Sequence, residues 1–407
     1  MKKNKATQAL TKLNLAALAL TGVMQDAHAG RVEETYNGDF QYGHYSESGN
    51  RMSVDIFDMS VSAPIGKNMT FSAGAVRDVI SGASPLTNKK NARGQVYQVL
   101  SGASGNAKTS ECHHSICDQR DAVNSSLTYF FDNAALNFGG GFSQEHDYTS
   151  RYANSNLSWD FNKKLTTLNL GGSVAFDVVE PTNFNRDCGK NCYKTSQQYL
   201  LGVSQIIDKD SLLQLNMTFN YSDGYLSDPY KQVWFYNDLT VSDIQTDKRP
   251  REKTQWAWLA QYVRHFDMLN DAALHADYRF TTDDWGINSH TTEFSWHQPI
   301  ADGWQVIPRF RYYSQDKADF YAPVFTGSHK NYDAYSSDYR LAGFGAISGG
   351  IKLSKTFTKV KSLEQLKFQT GVEYYDHSAS YQLGGNNAGS FADFSYYLVN
   401  ASISLKF

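Results

Sequence analysis

The sequence predicts an all-β protein, a single transmembrane antiparallel β-barrel of about sixteen strands without a plug domain. Three observations support this fold class. The last twelve residues alternate apolar and polar side chains and end on Phe407, the same alternation recurs along the chain, and residues 1–29 resemble an export signal. Because successive side chains of a strand point to opposite faces, such segments present one face to lipid and the other to a polar lumen.

The amino-terminal segment has the three parts of a secretory signal peptide. Basic residues precede a short apolar stretch over residues 13–23, which is followed by the cleavage motif Ala27-His28-Ala29. We predict cleavage after Ala29, so that residues 1–29 are the signal peptide and residues 30–407 form the barrel. An exported barrel of this kind belongs in the outer membrane of a Gram-negative bacterium, where we expect it to contact outer-membrane lipid.

The composition agrees with a barrel. Mean hydropathy is only −0.50, as expected when alternate residues alone meet lipid. Tyr (26) and Phe (24) are abundant and suit the aromatic girdles at the two membrane interfaces. With a net charge of −3 and no basic patch, nucleic acid is excluded as a partner.

Sixteen segments have strand character. They lie near residues 38–48, 50–62, 69–79, 120–131, 134–146, 148–160, 165–179, 195–206, 211–221, 253–267, 272–282, 288–298, 304–316, 338–355, 365–380 and 393–407. Connections after even-numbered strands are mostly tight turns, whereas long loops follow several odd-numbered strands, near 80–119, 180–194, 222–252 and 317–337. This asymmetry predicts short periplasmic turns and long extracellular loops.

One segment breaks the alternation. Val54 and Ile56 are apolar on one parity, whereas Phe57, Met59 and Val61 continue on the other. A β-bulge near Phe57 is expected to reconcile the two, because a bulge shifts the register by one residue.

Charged residues concentrate on the predicted inner face of four consecutive strands. The candidate lumen residues are His275, Asp277, Arg279, Glu293, His297, Arg309, Arg311 and Lys352. Two interpretations remain open. These side chains form a selectivity surface in which arginines favour anions, or they pair with one another to fill a narrow barrel.

The last strand carries the expected barrel-assembly signal. Its outward apolar residues are Tyr397, Val399, Ile403, Leu405 and Phe407. We therefore expect the barrel assembly machinery to be a partner of the unfolded chain.

Four cysteines form two close pairs, Cys112/Cys117 and Cys188/Cys192. An even number of cysteines in an exported protein indicates disulfides. The pairing is either local or crossed between two loops. The string Cys112-His113-His114-Ser115-Ile116-Cys117 also permits a metal site, but we predict no metal and no cofactor because thiolates rarely persist in the periplasm. Ser289-His290 and Ser295/His297 are ordinary strand positions, so no enzymatic activity is expected.

Several stretches together resemble a known family. They span residues 78–85, 224–231, 273–280, 284–291 and 311–315. On these residues the chain resembles the proteobacterial DUF3570 family of exported proteins of unknown function. The resemblance implies an outer-membrane barrel encoded near a periplasmic flavin transferase, a thioredoxin-like protein and a small lipoprotein, which favours a redox-linked role.

Two functions follow as hypotheses. The first is a porin-like channel for small hydrophilic solutes, since about sixteen strands leave a water-filled lumen. The alternative is a non-enzymatic barrel scaffold that holds a periplasmic lipoprotein or redox partner for export or electron transfer.

Overall fold

The fold is a closed antiparallel β-barrel whose wall contains sixteen strands. The computed structural model describes residues 35–82, 86–100, 117–182, 189–360, 362–384 and 393–407, so the predicted signal peptide lies outside the described residues. In order around the wall the strands are β1 (Asn37–Glu47), β2 (Met52–Ile65), β3 (Met69–Gly82), β6 (Cys117–Phe130), β7 (Ala134–Gln144), β8 (Tyr148–Phe161), β9 (Thr166–Val179), β10 (Cys192–Asp208), β11 (Ser211–Gly224), β14 (Glu252–Phe266), β15 (Ala272–Asp283), β16 (Asn288–Pro299), β17 (Trp304–Gln315), β19 (Phe344–Val360), β20 (Leu363–Ser378) and β21 (Phe394–Lys406). The predicted fold class and strand number are confirmed.

Further short elements lie in the connections. Five strands are β4 (Leu86–Lys90), β5 (Val96–Leu100), β12 (Gln232–Asn237), β13 (Thr240–Thr246) and β18 (Phe325–Thr326). Six 3-10 helices span Ser48–Asn50, Asn162–Lys164, Asp267–Leu269, His329–Asn331, Tyr339–Leu341 and Ala379–Tyr381. Within the described part of the chain, no helix has the length and apolar character needed to cross a membrane.

The barrel closes by pairing its first strand with its last. β1 and β21 are antiparallel neighbours, with Phe40 opposite Ile403. Backbone hydrogen bonds join Tyr36 and Phe407 in both directions, at 3.3 and 2.9 Å. The seam therefore has the same ladder as the other strand pairs.

Outward side chains form the lipid-facing surface. Alternate residues of the wall are large, apolar and exposed, among them Met59, Phe138, Phe176, Leu215 and Phe310. In the final strand, Tyr397, Val399, Ile403 and Phe407 are exposed on this face. The strands thus place polar residues inside and apolar residues outside, as the alternation requires.

The expected β-bulge near Phe57 is absent, and that prediction was wrong. β2 keeps one continuous register with β1 and β3 through Phe57. Val54, only 1% exposed, packs with Met52 and Ile80 inside the barrel, whereas Phe57 and Met59 face outward. The change of parity marks an apolar patch on the inner wall near the turn between β1 and β2.

Three long connections are more structured than the sequence indicated. The loop predicted over 80–119 contains the hairpin β4–β5, and β12 pairs with both β13 and β18 in a second sheet. Residues 225–251 and 316–343, joined by this sheet, are called the cap below. The hairpin contacts the cap where the backbone N–H of Lys90 donates to the Tyr236 hydroxyl at 2.9 Å.

β19 begins at Phe344, not near residue 338 as predicted. The Asp338 side chain accepts a hydrogen bond from the backbone N–H of Arg340 and caps the 3-10 helix Tyr339–Leu341. Residues 338–343 therefore belong to the cap.

Candidate functional site

The eight predicted lumen residues all lie on the inner face of the wall. Asp277 pairs across strands with Glu293, and Glu293 with Arg311, so that these three share a face. Their chain neighbours on the other face, Tyr278 and Phe310, are exposed outward. His275, Arg279, His297, Arg309 and Lys352 follow the same alternation.

Arg309 is neutralised by two carboxylates. Its guanidinium donates to Glu293 through Nε at 2.6 Å and Nη2 at 2.7 Å, and to Glu373 through Nη1 at 2.6 Å. Asp277 accepts a hydrogen bond from Gln261 Nε2 at 3.1 Å. This part of the wall is a network of paired charges.

The inward histidines lie together. The rings of His275 and His297 are 4.3 Å apart, and His297 Nε2 is 3.2 Å from the Ser295 hydroxyl. His290 instead faces outward and bonds Tyr278, while Ser289 faces inward and bonds Thr281. Ser289 and His290 therefore point to opposite sides of the wall.

A cavity of about 970 Å³ occupies the lumen below the cap. One side is aromatic and comes from β19, β20, β21 and β1. It is called the aromatic wall and consists of Tyr45, Phe344, Tyr375, Phe394 and Tyr396. The opposite side, from β9, β10 and β11, carries hydroxyl and amide groups that include Ser173, Gln198, Asn216 and Asn220. The cavity is therefore amphipathic.

Nine charged side chains line this cavity among the described residues. Seven are in ion pairs: Glu47 with Arg51, Asp177 with Lys194, Lys253 with Asp283, Glu373 with Arg309, and Arg249 and Arg340 with aspartates of the cap. The remaining two are Arg279 and Arg311, which form no ion pair with any described residue. The lining charges that stand outside ion pairs with described residues are therefore both positive.

A buried ionic cluster closes the cap above the cavity. It contains Asp228, Lys231, Asp247, Arg249, Asp338 and Arg340. Arg249 donates to Asp247 at 2.5 Å and to Asp338 at 2.8 Å, and Arg340 donates to Asp228 at 2.9 Å. Three carboxylates and three cations balance, which satisfies charges that would be costly to bury alone.

The electrostatics of this cluster are strongly perturbed. Burial alone would raise the pKa of Asp338, but Arg340 and Arg249 hold it well below its usual range. Burial lowers the pKa of Lys231 to about 8, although Asp338 and Asp247 oppose the shift. Lys231 is 1% exposed, so its burial disfavours the charged ammonium form.

The cap is also tied to the neighbouring rim. The Tyr230 hydroxyl donates to Asp147 in the β7–β8 turn and lies 3.3 Å from the backbone N–H of Thr182. These contacts, with the ionic cluster, fix the cap over one part of the mouth.

The cysteines are only partly within the described residues. Cys112 and Cys188 lie outside them, while Cys192 is fully buried beside Tyr148, Val179 and Tyr225. Cys192 is not a free thiol. The choice between local and crossed pairing stays a prediction.

The sequence matches the model of a protein family of unknown function, DUF3570, over residues 10–398. The chain belongs to this family. No curated protein sequence matches it. This DUF3570 chain folds as a closed sixteen-stranded β-barrel.

Solved structures of outer-membrane proteins resemble this DUF3570 barrel at low identity. CdiB from Acinetobacter baumannii has a TM-score of 0.50 and 9% identity over 92% of this chain, which spans 60% of CdiB. A bacterial polysaccharide outer membrane secretin has a TM-score of 0.50 and 7% identity, covering 92% of this chain and 99% of its own. OccAB1 from Acinetobacter baumannii, with a TM-score of 0.41, is 11% identical over 95% of this chain and all of its own (100%). The first two likenesses show the fold alone.

Two features of the site were missed from the sequence. The aromatic wall was not recognised because its members come from four strands and share the inner face with polar residues. The ionic cluster of the cap was also missed, since Arg340 and Asp228 are 112 residues apart. The strings Asp228-Pro229-Tyr230-Lys231 and Asp338-Tyr339-Arg340, dense in charge within long loops, were the available signal.

Proposed function

We propose that the protein is a channel that passes small hydrophilic solutes across the outer membrane. The main support for a channel is the cavity of about 970 Å³ inside the closed sixteen-stranded wall. Hydroxyl and amide groups line one side of this cavity. Barrels of sixteen to eighteen strands leave room for an aqueous path. Barrel strands begin at Asn37, and no separate plug domain occurs among the described residues.

The cap sets the conductance expected of such a channel. Leu226, Arg249 and Arg340 of the cap line the cavity, so the cap narrows the outer mouth. We expect small current steps from the wild-type barrel and larger ones when the cap is loosened by Asp338→Ala, which leaves Arg249 and Arg340 without their shared carboxylate.

Planar-bilayer recording of purified protein tests the proposal. The same preparation denatured by heat is the control for contaminating porins. A folded barrel that gives no current steps, either as wild type or as Asp338→Ala, would overturn the channel function. A lipoprotein or redox protein that co-purifies with a non-conducting barrel would support the scaffold function instead.

A further inference from the structure

Among the charged side chains that line the cavity, Arg279 and Arg311 are the two that form no ion pair with a described residue. They lie on β15 and β17 with one strand between them, and both line the cavity. The other seven charged side chains of the lining are in ion pairs. Arg279 and Arg311 therefore differ from the rest of the lining. Two guanidinium groups that face the same cavity favour an anion, and a carboxylate matches the forked donors of a guanidinium group.

The aromatic wall begins beside Arg311. Arg311 pairs across strands with Ser348, Ser348 with Tyr375, and Tyr375 with Tyr396, so these four form one row on the inner face. The rings of Tyr375 and Tyr396 are stacked, with centroids 4.6 Å apart and planes at 14°. Tyr45 extends this surface, its ring 4.7 Å from that of Tyr396.

Along this row the cavity wall presents first the cationic Arg311, then the short side chain of Ser348, and then the stacked rings of Tyr375 and Tyr396. A solute whose carboxylate contacts Arg311 can direct a planar ring toward Tyr375 and Tyr396. Contacts between aromatic rings stabilise a bound ring beyond what burial of its apolar area provides. Their combination with an arginine contact discriminates against anions that have no ring.

We propose that the cavity selects organic anions that carry an aromatic ring, as aromatic carboxylates do. This inference rests on the proposed channel function and names the solute class of the same site. Stacked aromatics alone would also suit neutral sugars, but a neutral sugar carries no negative charge for the two arginines to bind. The unpaired positive charge therefore decides between these two classes.

Block of the ion current by added solutes tests the inference. The probes are 4-hydroxybenzoate, acetate as an anion without a ring, 4-hydroxybenzamide as a ring without charge, and maltose. We expect 4-hydroxybenzoate to block wild type at a concentration at least tenfold lower than any other probe. Isothermal titration of the same probes into the purified barrel measures binding independently of conductance.

Three variants separate the contributions. Arg279→Gln with Arg311→Gln should raise the blocking concentration of 4-hydroxybenzoate at least tenfold. Tyr375→Leu with Tyr396→Leu should keep the preference for anions but abolish the difference between 4-hydroxybenzoate and acetate. Lys367→Gln is the matched control, because Lys367 is an inward cation of β20 that forms no ion pair with a described residue and does not line the cavity. Heat-modifiable gel mobility confirms that each variant folds.

The outcomes keep the inference and the channel function apart. Current without preferential block by 4-hydroxybenzoate, or equal loss in Lys367→Gln, overturns the inference and leaves the channel intact. Preferential block by maltose that survives loss of both arginines also overturns it. Binding of 4-hydroxybenzoate to a barrel that never conducts overturns the channel and supports the site.

Discussion

The guanidinium of Arg309 and the carboxylate of Glu293 are joined by two parallel hydrogen bonds, of 2.6 and 2.7 Å. Arg311, two residues further along the same face, has Glu293 as its direct cross-strand partner but forms no ion pair with it. The diagonal contact of Arg309 thus occupies the carboxylate that Arg311 would otherwise use. Of the two interpretations of the charged wall, pairing describes Arg309, and a selectivity surface remains the proposal for Arg311.

Arg309→Ala is therefore expected to act on stability. It leaves Glu293 and Glu373 without their partner on a wall where the Arg309 side chain is only 25% exposed. A loss of roughly 1–3 kcal/mol is expected from uncompensated groups of this kind. The temperature of the heat-modifiable transition should fall, whereas Arg311→Ala should leave it nearly unchanged. An equal fall in both variants would show that Arg311 is also held by pairing.

The cap is expected to become more stable as the pH rises above about 8. The folded pKa of Lys231, about 8, lies below that of an unfolded lysine, about 10.4. Between these values the unfolded cap binds more protons than the folded cap, so stability increases with pH and is lowest below about 8. Cleavage of the cap by subtilisin, normalised to an unstructured peptide, should be slower at pH 9.5 than at pH 7.

Lys231→Met should remove this pH dependence, because no ammonium remains in the cluster. Lys248→Met changes an exposed lysine of the same segment and should retain it. If both variants respond to pH as wild type does, Lys231 is not the titrating group.

The cysteines are expected to be oxidised in the exported protein. Non-reducing peptide mapping should recover Cys112–Cys117 and Cys188–Cys192, or the crossed pairs. A disulfide stabilises by about 2–4 kcal/mol, mainly by restricting the unfolded chain. Labelling of four free thiols in the folded protein would refute the prediction.

Deletion of Phe407 is expected to lower the amount of assembled barrel several-fold. The deletion removes both backbone hydrogen bonds to Tyr36 and an outward aromatic side chain at the rim. The fraction of heat-modifiable protein in outer-membrane extracts measures the effect, with Ser404→Ala, an inward change in β21, as the control. Normal assembly of the shortened chain would argue against Phe407 as part of the assembly signal.

The barrel could be predicted because strand alternation is a local property. The spacing of Leu168, Leu170 and Val174 predicts an outward apolar face from one segment alone, without information from the rest of the chain. The parity of Val54 was misinterpreted for the same reason. Val54 is apolar because it packs against Ile80 of the neighbouring strand inside the barrel. A pattern within one strand cannot show such a contact between strands.

The cap could not be predicted, because its order depends on contacts between distant segments. Arg249 meets Asp338 across 89 residues, and β12 pairs with β18 in parallel. Each of these loops alone is polar and short of apolar periodicity. Only their juxtaposition at the rim supplies the counterions that make burial of Lys231 and Arg249 tolerable.

Because Tyr36 and Phe407 exchange backbone hydrogen bonds, the two ends of the barrel wall lie side by side. A short linker between these residues would extend the existing ladder as one more hairpin turn. New ends could then be opened at another turn of the same rim, for example between Phe131 and Ala134. Such a permuted chain would retain every strand pair while moving the aromatic terminus to a different strand. In the folded wall, β1 and β21 pair with each other as any two neighbouring strands do. They differ from the other strands in being the first and last of the wall to be synthesised.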